Sequence, residues 1–72
     1  MKSKEIKAAR ARLGYKQREV AFRLGIPAST YSAKENGKIE FSTDQKIALA
    51  EIFEWNLEQM NDFLFDGKLP LR

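Results

Sequence analysis

Glycine spacing is the strongest constraint on this chain. Gly14, Gly25, Gly37 and Gly67 are its only glycines, and the first three stand 11 and 12 residues apart. Glycine is the default residue where a helix closes in a left-handed turn. Intervals of this length suit short helices joined by short turns. Helical periodicity fills each of them. Ile6, Ala9 and Leu13 fall on one face of a helix over residues 3–13, with Ser3 available as its cap and Gly14 past its end. A second helix is predicted over 17–24, with Val20, Ala21 and Leu24 inward. A third begins near Pro27 or Ala28 and ends before Gly37. Proline is tolerated there because the first N–H groups of a helix lack helical partners.

After a longer connection over 37–43, a fourth helix is predicted over 43–53 and a fifth over 57–64. Ser42 with Gln45, and Asn56 with Gln59, have the spacing of capping boxes. Leu49, Ile52 and Phe53 supply the fourth helix's apolar stripe, and Leu57, Met60, Phe63 and Leu64 the fifth's. No segment alternates with period two between turn signals, so no strand is predicted. The expected fold is all-α, a compact five-helix bundle in one domain over 1–66, followed by a short tail over 67–72.

At 72 residues such a bundle buries a small core. It has no cysteine and no histidine, so disulfides, thiolate metal sites and histidine chemistry are excluded. Helix packing and a partner subunit are the remaining sources of stability. Glu51, Glu54 and Glu58 repeat at helical spacing on a solvated face, and no nucleophile–base set accompanies them. Neither an enzyme nor a cofactor, metal or small-molecule ligand is expected. No apolar run approaches the ~20 residues of a membrane span, and Met1-Lys2-Ser3-Lys4 leads into charged sequence rather than a signal peptide. The expected location is cytoplasmic.

Charge divides the chain. Residues 1–38 carry ten Lys and Arg against three acids, net +7, and residues 39–72 carry three against seven, net −4. A basic first half points to a polyanionic partner, nucleic acid first. Within it, residues 17–37 read as helix, short turn, helix. Ala21 stands where two steeply crossing helices need a small side chain, and Gly25 where the chain must turn. Val20, Leu24, Ile26 and Tyr31 fall where those helices share a core.

Several short motifs accompany this pattern: Arg10, Gly14-Tyr15-Lys16-Gln17, Val20-Ala21, Leu24-Gly25-Ile26 and Glu35-Asn36-Gly37-Lys38, then Leu49-Ala50, Phe53, Trp55, Leu57 and Met60. In these the sequence resembles the XRE-type helix-turn-helix family, which includes the lambdoid phage repressors and Cro proteins. The resemblance covers roughly residues 5–66, and the segment from Tyr31 to Lys38 looks especially like regulators of Gram-positive phages and mobile elements. It implies a helix-turn-helix whose helix 3, about 28–36, lies in the major groove of double-stranded DNA. Carried over by position, Ala28, Ser29, Ser32 and Ala33 face the bases. Lys16, Gln17, Thr30, Lys34, Asn36 and Lys38 lie near phosphates. Lys16 stands where the family usually caps helix 2 with Thr or Ser, at a cost of about 1 kcal/mol. Methyl and hydroxyl groups discriminate bases less than long amides do, so a phosphate-dominated interface with some dependence on DNA shape is implied. Arg10 and Glu35 would form a partly buried structural ion pair.

Phe22 falls on the usually exposed face of helix 2, and Phe63, Leu64 and Phe65 crowd the C-terminal end. These three are candidates for a homodimer surface that sets two recognition helices on a palindromic operator. With no further domain in the 72 residues, a transcriptional repressor acting by operator occupancy is the leading expectation. The alternative is a protein-interaction module on the same fold, an antitoxin or antirepressor.

Overall fold

The computed structural model describes residues 1–69; residues 70–72 of the expected tail lie outside them. Five helices follow one another, α1 (Ser3–Leu13), α2 (Gln17–Leu24), α3 (Ala28–Glu35), α4 (Thr43–Ile52) and α5 (Leu57–Leu64), with no strand among the described residues. Helices α1 and α2 stop at Gly14 and Gly25, which take φ of 75° and 73°. The next N–H then folds back in each case, Tyr15 to the Arg10 carbonyl and Ile26 to the Ala21 carbonyl, both at 3.0 Å. The same closure ends α4, where the Trp55 N–H reaches the Ala50 carbonyl at 2.9 Å. There the left-handed residue is Glu54, at φ 59°, a conformation that costs an L side chain about 1 kcal/mol.

Both expected capping boxes form. Ser42 Oγ accepts the Gln45 N–H at 3.1 Å and Gln45 Oε1 accepts the Ser42 N–H at 2.9 Å. Asn56 and Gln59 exchange the equivalent bonds at 2.8 and 3.0 Å. At α2 only half a box exists: Glu19 Oε1 accepts the Lys16 N–H at 2.7 Å, while the lysine ammonium has no acceptor to offer in return. Ser3 does not cap α1. The helix starts one residue earlier than that role requires, with Lys2 in the cap position and no side-chain cap. The cause is tertiary: the Lys2 N–H donates to the Phe63 carbonyl at 2.7 Å, docking the N-terminus on the end of α5. The Met1 ammonium bonds Asp66 beside it and holds that carboxyl below its ordinary range.

The core comprises Ile6 and Ala9 of α1, Val20 and Ala21 of α2, Tyr31 of α3, Phe41 of the α3–α4 connection, Leu49 and Ala50 of α4, Phe53 just after α4, and Leu64 of α5. Trp55 stands edge-on to both Phe53 and Phe63, with ring centroids 5.2 and 4.9 Å away. The place of Leu64 corrects one expectation. It is fully buried and belongs to the monomer core, so it is withdrawn as a dimer candidate. Phe63 and Phe65 remain half-buried, under the ammonium groups of Lys2 at 5.9 Å and Lys46 at 4.9 Å respectively.

One buried charge ties the first three helices together. Glu35, at the last position of α3, has 0% of its surface exposed. Arg10 Nε donates to its Oε2 at 2.8 Å and Arg10 Nη2 to its Oε1 at 3.2 Å. Gln17 Nε2 donates to Oε1 at 2.9 Å and the Tyr31 hydroxyl to Oε2 at 2.8 Å. Arg10 Nη1 extends the network to the Tyr15 carbonyl at 3.0 Å, in the turn between α1 and α2. No buried side-chain polar atom is left unpaired among the described residues. Burial opposes ionisation of Glu35, but the bonds from Arg10, Gln17 and Tyr31 outweigh it and hold the carboxyl below its ordinary value. Burial, then the bond to Glu35, pushes the Tyr31 phenol well up. Hydrogen bonding to Glu35 raises the Arg10 guanidinium against its own desolvation.

Glu35→Ala strands the Arg10 charge and should cost on the order of 3–5 kcal/mol, enough to unfold much of a domain this small. A thermal melt equal to wild type would remove the pair from this role. Because the folded carboxyl titrates below its unfolded value, its contribution is complete above the ordinary value of 4.5 and is lost as pH falls through the folded one. Melting temperature should therefore drop below about pH 4.5, and Glu35→Gln should lose the Glu35 share of that drop; parallel acid profiles would contradict it. Glu54→Gly should stabilise by about 0.5–1 kcal/mol by relieving the left-handed strain, and a lowered denaturation midpoint would refute that assignment.

Candidate nucleic-acid interface

The sequence of α3 is short on apolar residues, and the few it has decide which way it faces. Tyr31 and Glu35, one turn apart, point into the fold. The other side is left to Ala28 and Ser29, which are exposed, and to Ser32 and Ala33, which are half-exposed. Positions 28 and 32, and 29 and 33, are each one turn apart, so the four make a continuous stripe along the helix. Thr30 is half-exposed at its flank. The side chains are small, so the stripe is a smooth ridge of methyl and hydroxyl groups on which an opposing surface can come close to the helix backbone.

Helix α2 packs across α3 through Val20 and Ala21. The glycine at position 25, with φ of 73°, turns the chain between them and leaves two residues before α3 begins. The crossing brings the start of α2 beside the end of α3, which is why Gln17 reaches Glu35. Its amide nitrogen has two protons, one of them donated to the carboxylate. The second is the one available to an outside acceptor. Lys16 stands exposed just before α2. Lys38 stands exposed just after Gly37, its N–H held by the Ala33 carbonyl at 2.9 Å.

Two further residues expected near phosphates are turned inward on the protein itself. Lys34 is half-buried, and its ammonium donates to Gln45 Oε1 at 2.8 Å and to the Glu40 carbonyl at 3.2 Å. Asn36 folds back on its own helix, donating from Nδ2 to the Ser32 carbonyl at 2.9 Å. Asn36 Nδ2 shares the Ser32 carbonyl with the Asn36 N–H, whereas both acceptors of Lys34 lie beyond α3, in the connection and at the start of α4. The structure thus brings Lys16, Gln17 and Lys38 to the edges of the α3 stripe with donors to spare, and holds Lys34 on the α3–α4 connection.

Some members of this constellation escape a reading of the sequence. The Tyr31 hydroxyl belongs to the Glu35 site, and the spacing of four between Tyr31 and Glu35 on one helix is the available signal. Arg23 stacks over the Tyr15 ring at 4.6 Å and donates to its hydroxyl at 3.1 Å. Nothing in a spacing of eight across a turn announces that pair.

Among the described residues, no group of three or more His, Cys, Asp or Glu is placed to hold a metal ion, and no helix is long and apolar enough to cross a membrane. Neither a curated protein nor a solved structure matches the chain. The helix-turn-helix family profile matches residues 6–58, from α1 through α4 and into the first turn of α5. That match covers well over half of the chain and takes in the whole α2–α3 unit. With it, the small polar ridge of α3 and the crossing of α2 above it acquire a common meaning: the chain belongs to the XRE-type helix-turn-helix family of DNA-binding regulators.

Proposed function

We propose that this regulator is a repressor that acts by occupying an operator, with α3 in the major groove. The observation that supports this reading is the outer stripe of α3, small and polar, framed by exposed Lys16 and Lys38 and backed by the buried Tyr31–Glu35 face. Ala28 and Ala33 would offer methyl contact to thymine, and Ser29 and Ser32 hydroxyls to base edges, with Thr30 nearer the backbone. Lys16, the second amide proton of Gln17 and Lys38 would contact phosphates. Such an interface draws most of its affinity from phosphates and relies on DNA shape for part of its selectivity. Asn36 keeps one amide proton for the same backbone.

A palindromic operator and a homodimer complete the proposal. Phe63 and Phe65, half-buried at the end of α5, would lie in the subunit contact together with Leu57, which is 57% exposed on the same helix. A second reading, a protein-interaction module of the antitoxin or antirepressor kind, draws support from Phe22, which is 85% exposed on α2.

Salt dependence tests the proposal directly. If Lys16 and Lys38 each neutralise one phosphate per subunit, a dimer makes about four ionic contacts and log K falls against log salt with a slope near −3.6. Lys38→Ala should flatten the slope by about 2 and weaken binding on all sequences alike. Ser29→Ala and Ser32→Ala should leave the slope alone and change preference among sites, and Ala28→Gln should change the base preferred near the start of α3. Failure of the chain to bind either its own upstream DNA or random duplex at about 50 mM salt would sink the repressor reading and favour the interaction module.

A further inference from the structure

We propose that Lys34 serves DNA binding as a positioning residue, strapping the α3–α4 connection so that Lys38 holds its place beside the recognition stripe, and not as a phosphate ligand. The proposal rests on α3 and Lys38 facing DNA. Its basis is the set of partners around one ammonium group. Lys34 Nζ has three protons, and two are committed, to Gln45 Oε1 at 2.8 Å and to the Glu40 carbonyl at 3.2 Å. The two acceptors lie six and eleven residues further along the chain, on the far side of the connection. Gln45 Oε1 is also the atom that accepts the Ser42 N–H and closes the α4 capping box. One oxygen therefore couples the start of α4 to the end of α3.

Beneath the strap, the Phe41 ring is buried, 5.9 Å from the Lys34 ammonium and 5.9 Å from the Tyr31 ring. The connection is thus held from below by an aromatic residue in the core and from above by Lys34. Lys38, Ile39 and Glu40 stand exposed between these anchors. Lys38 is fixed at its near end by the bond from its N–H to the Ala33 carbonyl. Without the strap, the far end of the connection regains backbone freedom, and ordering it again on DNA costs affinity. For Lys34 to reach a phosphate it would have to abandon both acceptors and loosen the segment that carries Lys38.

The test uses the full chain, a short random-sequence duplex, and Lys34→Ala, Gln45→Ala, their double variant and Gln45→Glu. Removing either partner should weaken binding by a similar factor, about tenfold for loss of a charged hydrogen bond. The double variant should lose less than the sum of the two single ones, because both remove the Lys34–Gln45 bond, while Lys34→Ala alone also frees the Glu40 carbonyl and Gln45→Ala alone also opens the capping box. Gln45→Glu, whose carboxylate still accepts from Lys34 and Ser42, should restore most of the loss. The uncharged change Gln45→Ala should leave the salt slope as in wild type. In the free protein, Lys34→Ala should speed hydrogen exchange at the Ser42 amide while leaving Val20 and Leu49 protected. Should Lys34→Ala fail to fold, the two Gln45 variants carry the comparison. A Gln45→Ala protein that binds like wild type, beside a Lys34→Ala slope flattened by about 2, would make Lys34 a phosphate ligand and overturn the proposal. Unchanged exchange at Ser42 would overturn the strap itself. A wild-type chain that binds no duplex would instead fail the DNA reading on which Lys38's role depends, and that result is distinct from either.

Discussion

A single carboxylate without access to water organises this protein. Glu35 accepts four hydrogen bonds, from three residues on α1, α2 and α3, and its main cationic partner Arg10 spends a further donor on the α1–α2 turn. A buried charge is tolerated only when paired and fully hydrogen-bonded. That requirement fixes more than stability. Glu35 can be satisfied only if α3 is rotated with Tyr31 inward and α2 crosses it with Gln17 overhead. The same rotation leaves the stripe of Ala28, Ser29, Ser32 and Ala33 on the outside. The face offered to DNA is, in this sense, the complement of the face that serves Glu35.

Around this centre the anchoring becomes more local. The α2–α3 turn depends on Gly25, the α3–α4 connection on Phe41 and the Lys34 strap, and the chain ends on the docking of Lys2 and Met1 against the end of α5. Basic residues concentrate in the first three helices and acidic ones in the last two. An approaching polyanion is thereby drawn towards the first three helices and repelled from α4 and α5, the second of which the dimer proposal assigns to the subunit contact.

Much of the architecture was legible in the sequence because the signals are short-range. Glycines at 14 and 25 need left-handed conformations, and capping boxes at 42 and 56 are set by spacing alone. What was not legible depends on contacts between distant segments. Ser3 looked like a cap, yet the docking of Lys2 on Phe63 starts the helix earlier. Leu64 continued a helical stripe that also suited a dimer surface, and only the packing of α5 shows it enclosed. Lys34 had the place of a phosphate ligand, but its acceptors come from a connection whose path no periodicity describes. The candidate interface was legible by position along α3, whereas the availability of each donor was not, because that depends on what else is within reach.

The central claim is that the outer stripe of α3, with Lys16 and Lys38 at its edges, meets DNA while the Glu35 network stays intact behind it. Backbone amide shifts during titration with a short duplex test this most directly. The account predicts that the largest changes fall on residues 16–17, 28–33 and 36–38, with α5 little affected and the Tyr31–Glu35 side chains still protected from solvent. Changes centred on Phe22 or on α5, with α3 silent, would contradict it.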